Sequence, residues 1–278
     1  MLHSIPAAAP PAPCFTLGRA ACGPFTVGYA AFDASPLPHR LLPLNFPALI
    51  LDFDTGRTLL TGPRARSSLD GPTTWGSGIS VGLTPAGAAT LAGMPISEIS
   101  GQSVALDLPW ASHLAALPSW PARFTWLDTT FTPAPAAAPD SRPALGSSPD
   151  LGLNLDLDPH LALPAVSRWS PSPAVTAAWW RLQQTPRVRD VAAALGLSRR
   201  RLERDFRREI GLSPGAVART ARLQRSLSAL LRGAPPAAAA LTGGFADQSH
   251  LTRTMREAVG LTPAAFRAFV QDVAPPVP

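Results

Sequence analysis

Lysine is absent from this 278-residue chain, so its 24 arginines carry all of the side-chain positive charge outside histidine. Arginine makes bidentate contacts with phosphate and guanine that lysine cannot make, although a GC-rich genome would also favour it. Residues 168–272 hold seventeen arginines against seven acids, a net charge of +10, whereas the rest of the chain has a net charge of −4. This asymmetry predicts a polyanionic partner for the C-terminal region.

Cysteine and long apolar runs are also scarce. Cys14 and Cys22 are the only cysteines, which excludes a disulfide scaffold, and neither has the neighbouring histidines of a zinc pattern. We therefore predict no metal and no cofactor. The first residues lack a basic segment followed by a continuous apolar one, and no run reaches transmembrane length. These absences predict a cytoplasmic protein with no signal peptide and no membrane partner.

Two stretches near the C-terminus repeat each other. LSRRRLERDFRREIGLSP (197–214) aligns with the later part of GFADQSHLTRTMREAVGLTP (244–263) at an offset of 49 residues. Apolar positions fall on apolar positions, and Gly211 falls on Gly260. A repeat of this density indicates one supersecondary unit used twice.

Each copy has the sequence pattern of a helix-turn-helix unit. In the first, VRDVAAALG (188–196) predicts a short helix, and Ser198 is a suitable N-cap for a second one. In the second, AAAALTGG (237–244) is the first helix and Asp247 is the cap of the next. Apolar residues four positions apart give each second helix one buried stripe. The stripes are Leu202, Phe206 and Ile210 in the first unit and Leu251, Met255 and Val259 in the second.

A third helical pattern, SPGAVARTARLQRSLSALLR (213–232), lies between the copies. Pro214 suits the first turn of a helix. At about 1.5 Å per residue this helix would separate the units by roughly 30 Å. Successive major grooves on one side of a duplex are ~34 Å apart. The pattern therefore predicts two recognition helices in adjacent major grooves of double-stranded DNA.

Residues 173–270 resemble the C-terminal DNA-binding domain of AraC/XylS-type transcriptional regulators. The resemblance rests on VAAALGLSRRRLERDFRREIGLSP and GFADQSHLTRTMREAVGLTPAAFR. It implies two helix-turn-helix units joined by a long helix, with base-contacting residues on the second helix of each. By resemblance, the base-contacting positions are Arg200, Glu203 and Arg204 in the first unit and Gln248, Ser249, Thr252 and Arg253 in the second, while Arg207 and Arg256 contact phosphates.

The second copy departs from the family pattern at several positions. Ala239 stands where a large aliphatic residue is usual, Met255 replaces a phenylalanine, and the first helix ends in Gly243 and Gly244. A glycine inside a helix costs about 1 kcal/mol relative to alanine. These departures predict a second unit that is less rigid and binds DNA more weakly than the first.

The N-terminal region has a mixed α/β pattern. FTVGYAAF (25–32), PALILDF (47–53) and RTLLTGP (57–63) predict strands. TPAGAATLAG (84–93) predicts a helix that opens at its threonine, and residues 108–131 predict one or two short helices.

The whole chain is predicted to be an α+β protein with two domains. Residues 1–131 form a sensor-like or dimerisation domain, residues 132–160 a Pro/Ala-rich linker, and residues 161–278 the all-α DNA-binding domain. The family resemblance implies a small-molecule effector of unknown identity and a homodimer.

Two short motifs suggest enzymes, but we expect neither to be catalytic. Asp54-Thr55-Gly56 matches one half of an aspartic protease site, which needs two carboxylates, and fits a hairpin turn better. Gly-Ile-Ser-Val-Gly around Ser80 matches a nucleophile elbow, which needs a buried strand before the serine; we read the preceding residues as a poor strand. His250 has no partner nearby in sequence and is expected to be a surface or capping residue.

The sequence therefore predicts a non-enzymatic, sequence-specific transcriptional regulator. Two alternatives remain open. The DNA-binding module could be attached to an enzymatic N-terminal domain, although Cys14 lacks the basic neighbours of a reactive thiolate. It could also be a degenerate DNA reader attached to a protein-interaction domain.

Overall fold

The computed structural model describes residues 4–6, 15–19, 25–33, 37–69, 74–131, 169–185 and 187–271. Cys14, Cys22 and the predicted linker 132–160 lie outside these ranges. The described residues combine an N-terminal antiparallel β region with a C-terminal helical region, as the α+β prediction requires.

The N-terminal region contains two antiparallel sheets. The larger has six strands in the order β2-β3-β8-β5-β6-β9, and the smaller has three in the order β1-β4-β7. Their bounds are β1 Ser4–Pro6, β2 Phe15–Arg19, β3 Thr26–Asp33, β4 Leu37–Leu41, β5 Ala48–Asp52, β6 Thr58–Thr61, β7 Thr74–Trp75, β8 Gly78–Leu83 and β9 Ser103–Ala105.

Strand β8 corrects one interpretation of the sequence. The glycine-rich residues around Ser80 form a buried strand that pairs with both β3 and β5. The strand needs its glycine because a Cβ on Gly78 would lie 2.1 Å from the carbonyl oxygen of Leu51. Ser80 lies inside this strand, fully buried, and not at the strand-to-helix turn that a nucleophile elbow requires. The motif is therefore part of the core.

The predicted hairpin and helices of this region are present. Strands β5 and β6 pair around the turn that contains Asp54, and the Thr55 hydroxyl donates to Asp52 Oδ2 at 2.6 Å. Helix α1 (Pro85–Ala92) is capped by Thr84, whose Oγ1 accepts from the Gly87 amide at 3.1 Å. A short 3-10 helix (Ile96–Ile99), α2 (Ala111–Ala116) and α3 (Trp120–Phe131) follow.

One hydrophobic core joins these helices to the larger sheet. Sheet residues such as Leu49 and Val81 pack with Trp110, Phe124 and Leu127 from the α2 and α3 region, and all five are buried. All described members of this core belong to the N-terminal region.

The C-terminal region is helical, and its helices begin and end close to the predicted positions. The bounds are α4 Pro173–Gln184, α5 Val188–Ala194, α6 Arg199–Glu209, α7 Pro214–Leu231, α8 Pro236–Gly243, α9 Gln248–Ala258 and α10 Pro263–Gln271. The first helix-turn-helix unit consists of α5 and α6, the second of α8 and α9, and α7 links them. Helix α4 packs on α7, α5 and α6, and helix α10 packs on α7 and α9.

The two regions share buried surface. Leu44, Phe46 and Ala48 belong to the core of the first unit, and Leu42 belongs to the core of the second. In addition, the Trp179 indole N–H donates to the carbonyl oxygen of Asn45 at 2.9 Å. The N-terminal region therefore packs directly on both units.

Candidate nucleic-acid interface

Helix α6 is the predicted recognition helix of the first unit. Its N-cap is Ser198, whose Oγ accepts from the Arg201 amide at 3.2 Å. The apolar stripe anchors the helix, with Leu202, Phe206 and Ile210 fully buried. The opposite face carries the four predicted contact residues. Arg200, Arg204 and Arg207 are exposed, and Glu203 is half-buried.

Ion pairs along α6 hold most of its arginines. Arg207 Nη2 lies 3.0 Å from Glu203 Oε1, and Arg204 Nε lies 3.3 Å from Asp205 Oδ1. Asp205, which is largely buried, also pairs with Arg201 and Arg208 at 3.5 Å and 3.6 Å. Sequence reasoning missed this network, although the i,i+4 spacing of Glu203 and Arg207 is a known signal for such a pair.

These pairs distinguish the predicted contact residues of α6 from one another. Arg200 has neither an ion pair nor a side-chain hydrogen bond within the described residues. A contact from Arg204 or Arg207 to a base or a phosphate would replace the carboxylate partner that each of them has now. Exposed ion pairs of this kind are worth about 0–1 kcal/mol, so such an exchange would cost little. The Glu203 carboxylate holds Arg207 in this structure.

Helix α9 is the predicted recognition helix of the second unit. Asp247 is its N-cap, and its Oδ1 accepts from the His250 amide at 2.7 Å. Leu251, Met255 and Val259 are fully buried beneath it. Gln248, Ser249, Arg253 and Arg256 are exposed, and Thr252 is half-buried.

The charged face of α9 differs from that of α6. No carboxylate among the described residues pairs with Arg253 or Arg256, so both guanidinium groups can bind an anion without breaking an ion pair. Thr252 Oγ1 donates to the carbonyl oxygen of Gln248 at 2.8 Å, which leaves this hydroxyl as an acceptor towards DNA.

The small residues of α8 have a packing function. A Cβ on Gly243 would lie 2.0 Å from Ser226 Oγ of α7, and the Ser226 hydroxyl donates to the carbonyl oxygen of Ala239 at 2.8 Å. Ala239 and Gly243 are four residues apart, so both face α7 and let the two helices approach closely. Gly244 has a φ of 74° and ends the helix in the left-handed conformation. The departures at Ala239 and Gly243 therefore follow from a close helix contact.

Arg222 of α7 stabilises the turn of the second unit. Its Nε donates to the carbonyl oxygen of Gly243 at 3.3 Å, and its Nη2 donates to that of Gly244. The guanidinium lies 4.5 Å from the centre of the Phe245 ring, and the His250 ring meets the edge of the same ring at 5.2 Å. Arg222 is one of the arginines that make this region positively charged, and its contacts give it a structural role. His250 was expected to be a surface or capping residue; it is half-buried, and its ring packs against Phe245.

Residues 191–268 match a family model described as a helix-turn-helix domain. The C-terminal region is an AraC-type helix-turn-helix domain. Such a domain indicates that the chain is a DNA-binding transcriptional regulator.

Solved structures resemble the AraC-type domain or the whole chain. A transcriptional regulator with an AraC-type DNA-binding domain from Chromobacterium violaceum is 29% identical over 34% of this chain and 90% of its own, with a TM-score of 0.32. A probable AraC family regulator from Rhodopseudomonas palustris is 30% identical over 37% of this chain and 100% of its own, with a TM-score of 0.32. ToxT from Vibrio cholerae, in its apo form, is 10% identical over 95% of this chain and 100% of its own, with a TM-score of 0.42. Comparison with curated proteins gave no match.

A cavity of about 460 Å³ lies between the AraC-type domain and the N-terminal region, on one side of their shared interface. Val27 of β3 and Phe46 of the segment before β5 line it from the N-terminal region, and Ala221, Arg225 and Arg232 line it from α7 and its C-terminal end. Burial, followed by the nearby charge of another α7 arginine, lowers the pKa of Arg225. The cavity thus combines apolar walls with two arginines.

Sites of other kinds are not found in the described part of the chain. No group of three or more His, Cys, Asp or Glu side chains within the described ranges is placed to hold a metal ion. The described helices include none that is both long and apolar enough to cross a membrane.

Proposed function

We propose that this chain is a sequence-specific transcriptional regulator whose helices α6 and α9 occupy adjacent major grooves of DNA. The observation that carries the proposal is the geometry of the repeat. Two capped helices with buried apolar stripes and polar outer faces are joined by an 18-residue helix. That helix is about 27 Å long, which supports a separation of one DNA turn.

The predicted contact residues have different roles in this proposal. Arg200 and Arg204 of α6 and Arg253 of α9 contact base edges, because arginine pairs bidentately with guanine. Glu203, Gln248, Ser249 and Thr252 supply further contacts to bases. Arg207 and Arg256, in the last turn of each helix, contact phosphates and contribute affinity without sequence preference.

Selection from random duplex DNA with the full-length chain at physiological salt tests this function. We expect an enriched site with two conserved blocks about 10 base pairs apart. One block alone would mean that a single unit recognises bases. No enrichment would refute sequence-specific recognition and favour a protein-interaction module.

Single substitutions then separate base contacts from phosphate contacts. Arg204→Ala and Arg253→Ala should each cost about 1–3 kcal/mol and relax the preference in one block. Arg256→Ala should weaken binding to all sequences and reduce the slope of log K against log salt concentration by about 1. Arg57→Ala, on the exposed β5–β6 turn, is the control that removes one charge away from both units. If Arg204→Ala and Arg253→Ala weaken binding to all sequences equally, both residues are phosphate contacts.

We further propose that the N-terminal region senses a small molecule in the cavity beside α7. The lining favours a carboxylate with an apolar body, because Arg225 and Arg232 can pair with the carboxylate while Val27 and Phe46 cover the rest. Calorimetric titration with octanoate and with octanol tests this chemistry. We expect saturable binding of octanoate only, and weaker binding by Arg225→Gln. Equal binding of both probes, or no effect of the substitution, would contradict it.

A further inference from the structure

We propose that the N-terminal region fixes the placement of α6 relative to α9 and thereby sets the half-site spacing that the protein accepts. The inference rests on the proposed DNA-binding function and adds a determinant of specificity outside the AraC-type domain. Its basis is a contact pattern: the N-terminal region binds the same turn in both copies of the repeat. This turn follows each recognition helix and contains Gly211 in the first unit and Gly260 in the second.

In the first unit, the contact is made by the residues after α1. Ser100 Oγ donates to the carbonyl oxygen of Gly211 at 3.3 Å. The approach is close enough that a Cβ on Gly211 would lie 2.4 Å from Ser100 Cβ and 3.0 Å from Ser97 Cα. The turn of the first unit is therefore seated directly on the N-terminal backbone.

In the second unit, the equivalent turn is bound by the segment after β6. The Ser67 amide donates to the carbonyl oxygen of Ala258 at 2.7 Å, and its hydroxyl donates to that of Val259 at 3.3 Å. Both oxygens belong to the last turn of α9, where helix carbonyls lack partners within the helix. Arg40 approaches the same turn, since its Nη1 would lie 3.6 Å from a Cβ on Gly260.

The two contacts belong to one rigid piece, residues 62–68 together with 96–103, which we call the N-terminal bridge. The carbonyl oxygen of Pro63 accepts from the Gly101 amide at 2.9 Å and also lies 3.2 Å from Ser100 Oγ, so the single Ser100 hydroxyl proton is shared between this oxygen and the carbonyl oxygen of Gly211. The Arg64 guanidinium is buried and donates to the carbonyl oxygen of Gln102 at 3.0 Å. Gly62 packs so tightly on Ile99 that it has no room for a side chain. A displacement at one turn is therefore transmitted to the other.

A second layer of contacts follows the linking helix α7. Gln224 Nε2 donates to the carbonyl oxygen of Pro43 at 2.6 Å. On either side of Pro43, Leu42 packs into the core of the second unit and Leu44 into the core of the first. The linking helix is thus held near its middle, in addition to the contacts at the two turns.

This geometry has a direct consequence for DNA. One extra base pair between half-sites moves the second groove by about 3.4 Å along the duplex and rotates it by about 34°. The hydrogen bonds of the bridge cannot persist through a shift of that size, because they weaken steeply with distance and angle. An intact bridge therefore favours one half-site spacing, and a broken bridge also allows spacings that are one base pair longer or shorter.

The test compares two glycine substitutions in the full-length chain. Gly211→Ala places a methyl group against Ser100, whereas Gly233→Ala has nothing within 4 Å. The two positions have φ angles of 82° and 84°, so the backbone strain is matched and only the bridge contact differs. Each variant and the wild type is selected against random duplexes, and the spacing between enriched blocks is measured.

We expect the wild type and Gly233→Ala to enrich one spacing and to bind sites longer or shorter by one base pair roughly tenfold more weakly, the equivalent of losing one or two hydrogen bonds. Gly211→Ala should enrich the same blocks over several spacings, with affinities within about threefold of one another. If Gly211→Ala enriches a single half-site spacing, or if Gly233→Ala broadens the accepted spacings equally, the inference is overturned. If the wild type enriches no site, the proposed function itself fails and the spacing is not the cause.

A second pair of variants covers the case in which Gly211→Ala does not fold. Ser67→Ala with Ser100→Ala removes both bridge hydroxyls and adds no bulk. Ser112→Ala, whose hydroxyl bonds locally to the carbonyl oxygen of Pro109 on an exposed helix, is the control. Amide hydrogen exchange at position 67, whose backbone N–H bonds to the carbonyl oxygen of Ala258 whichever side chain is present, gives a readout without DNA. Faster exchange together with broadened spacing supports the bridge, and faster exchange with an unchanged spacing refutes its role in specificity.

Discussion

Substitution of Gly243 by alanine tests whether helix packing or helix propensity decides the sequence of α8. Propensity alone favours alanine, because glycine inside a helix is worse by about 0.5–1 kcal/mol. The structure predicts the opposite sign, since the new methyl group would lie 2.0 Å from Ser226 Oγ and 2.9 Å from the carbonyl oxygen of Arg222.

The expected magnitude follows from the ways in which the clash can be relieved. Rotation of Ser226 breaks its bond to the carbonyl oxygen of Ala239 and leaves a buried polar group without a partner, which costs about 1–3 kcal/mol. Movement of α8 away from α7 loosens a close-packed contact at a similar cost of about 1–3 kcal/mol. After the gain in propensity, Gly243→Ala should lower the free energy of unfolding by roughly 1–2 kcal/mol.

Urea unfolding followed by circular dichroism measures this change, with Gly215→Ala as the matched control. Gly215 lies in the first turn of α7, and its Cβ would meet only Ser213 Oγ at an ordinary 4.0 Å. We expect Gly215→Ala to stabilise the protein by up to about 1 kcal/mol. If Gly243→Ala is stabilising as well, the close contact between α7 and α8 is wrong, and with it the explanation for the small residues of α8.

Three further perturbations have expected outcomes. Burial lowers the pKa of His39 from 6.5 to about 4, so the folded protein keeps this side chain neutral. The free energy of unfolding should therefore be highest above pH 6.5 and fall by about 3 kcal/mol as the pH drops to 4. His39→Phe should remove this loss, as measured by the free energy of unfolding at both pH values. Asp205→Asn removes the shared partner of three arginines of α6 and should destabilise the protein by about 1 kcal/mol, less at 1 M salt, as measured by urea unfolding; an effect that grows with salt would contradict the ion-pair network. Trp179→Phe replaces the indole with a smaller aromatic ring and leaves the buried carbonyl oxygen of Asn45 without its donor, and should cost about 1–3 kcal/mol of unfolding free energy. An unchanged value would mean that the hydrogen bond contributes nothing.

The helix-turn-helix units could be predicted from the sequence because their determinants are local. Ser198 and Asp247 cap the helices that the four-residue spacing of apolar side chains indicates, and both caps are present. The exposure of the predicted contact residues follows from the same spacing. Their assignment to bases or phosphates remains a prediction, since it depends on the DNA.

The one interpretation that was wrong, and the features that the sequence did not explain, depend on contacts between distant residues. Strand β8 has a glycine-rich sequence with weak strand propensity, and it is a strand because it is buried between β3 and β5. Gly243 of α8 looks unfavourable until Ser226, from a different helix, is placed against it. The contacts of Leu42 and Leu44 have no periodic signal, because two leucines on either side of Pro43 in a loop do not indicate what they pack against.

The division of Leu42 and Leu44 between the two units also determines how a fragment of the protein would behave. An AraC-type domain produced without the N-terminal region would expose the apolar surfaces that these side chains now cover. Exposed apolar patches promote self-association. Such a fragment should therefore be prone to aggregation at concentrations at which the full-length chain stays dispersed, and hydrophilic replacements on the uncovered surface should restore its solubility.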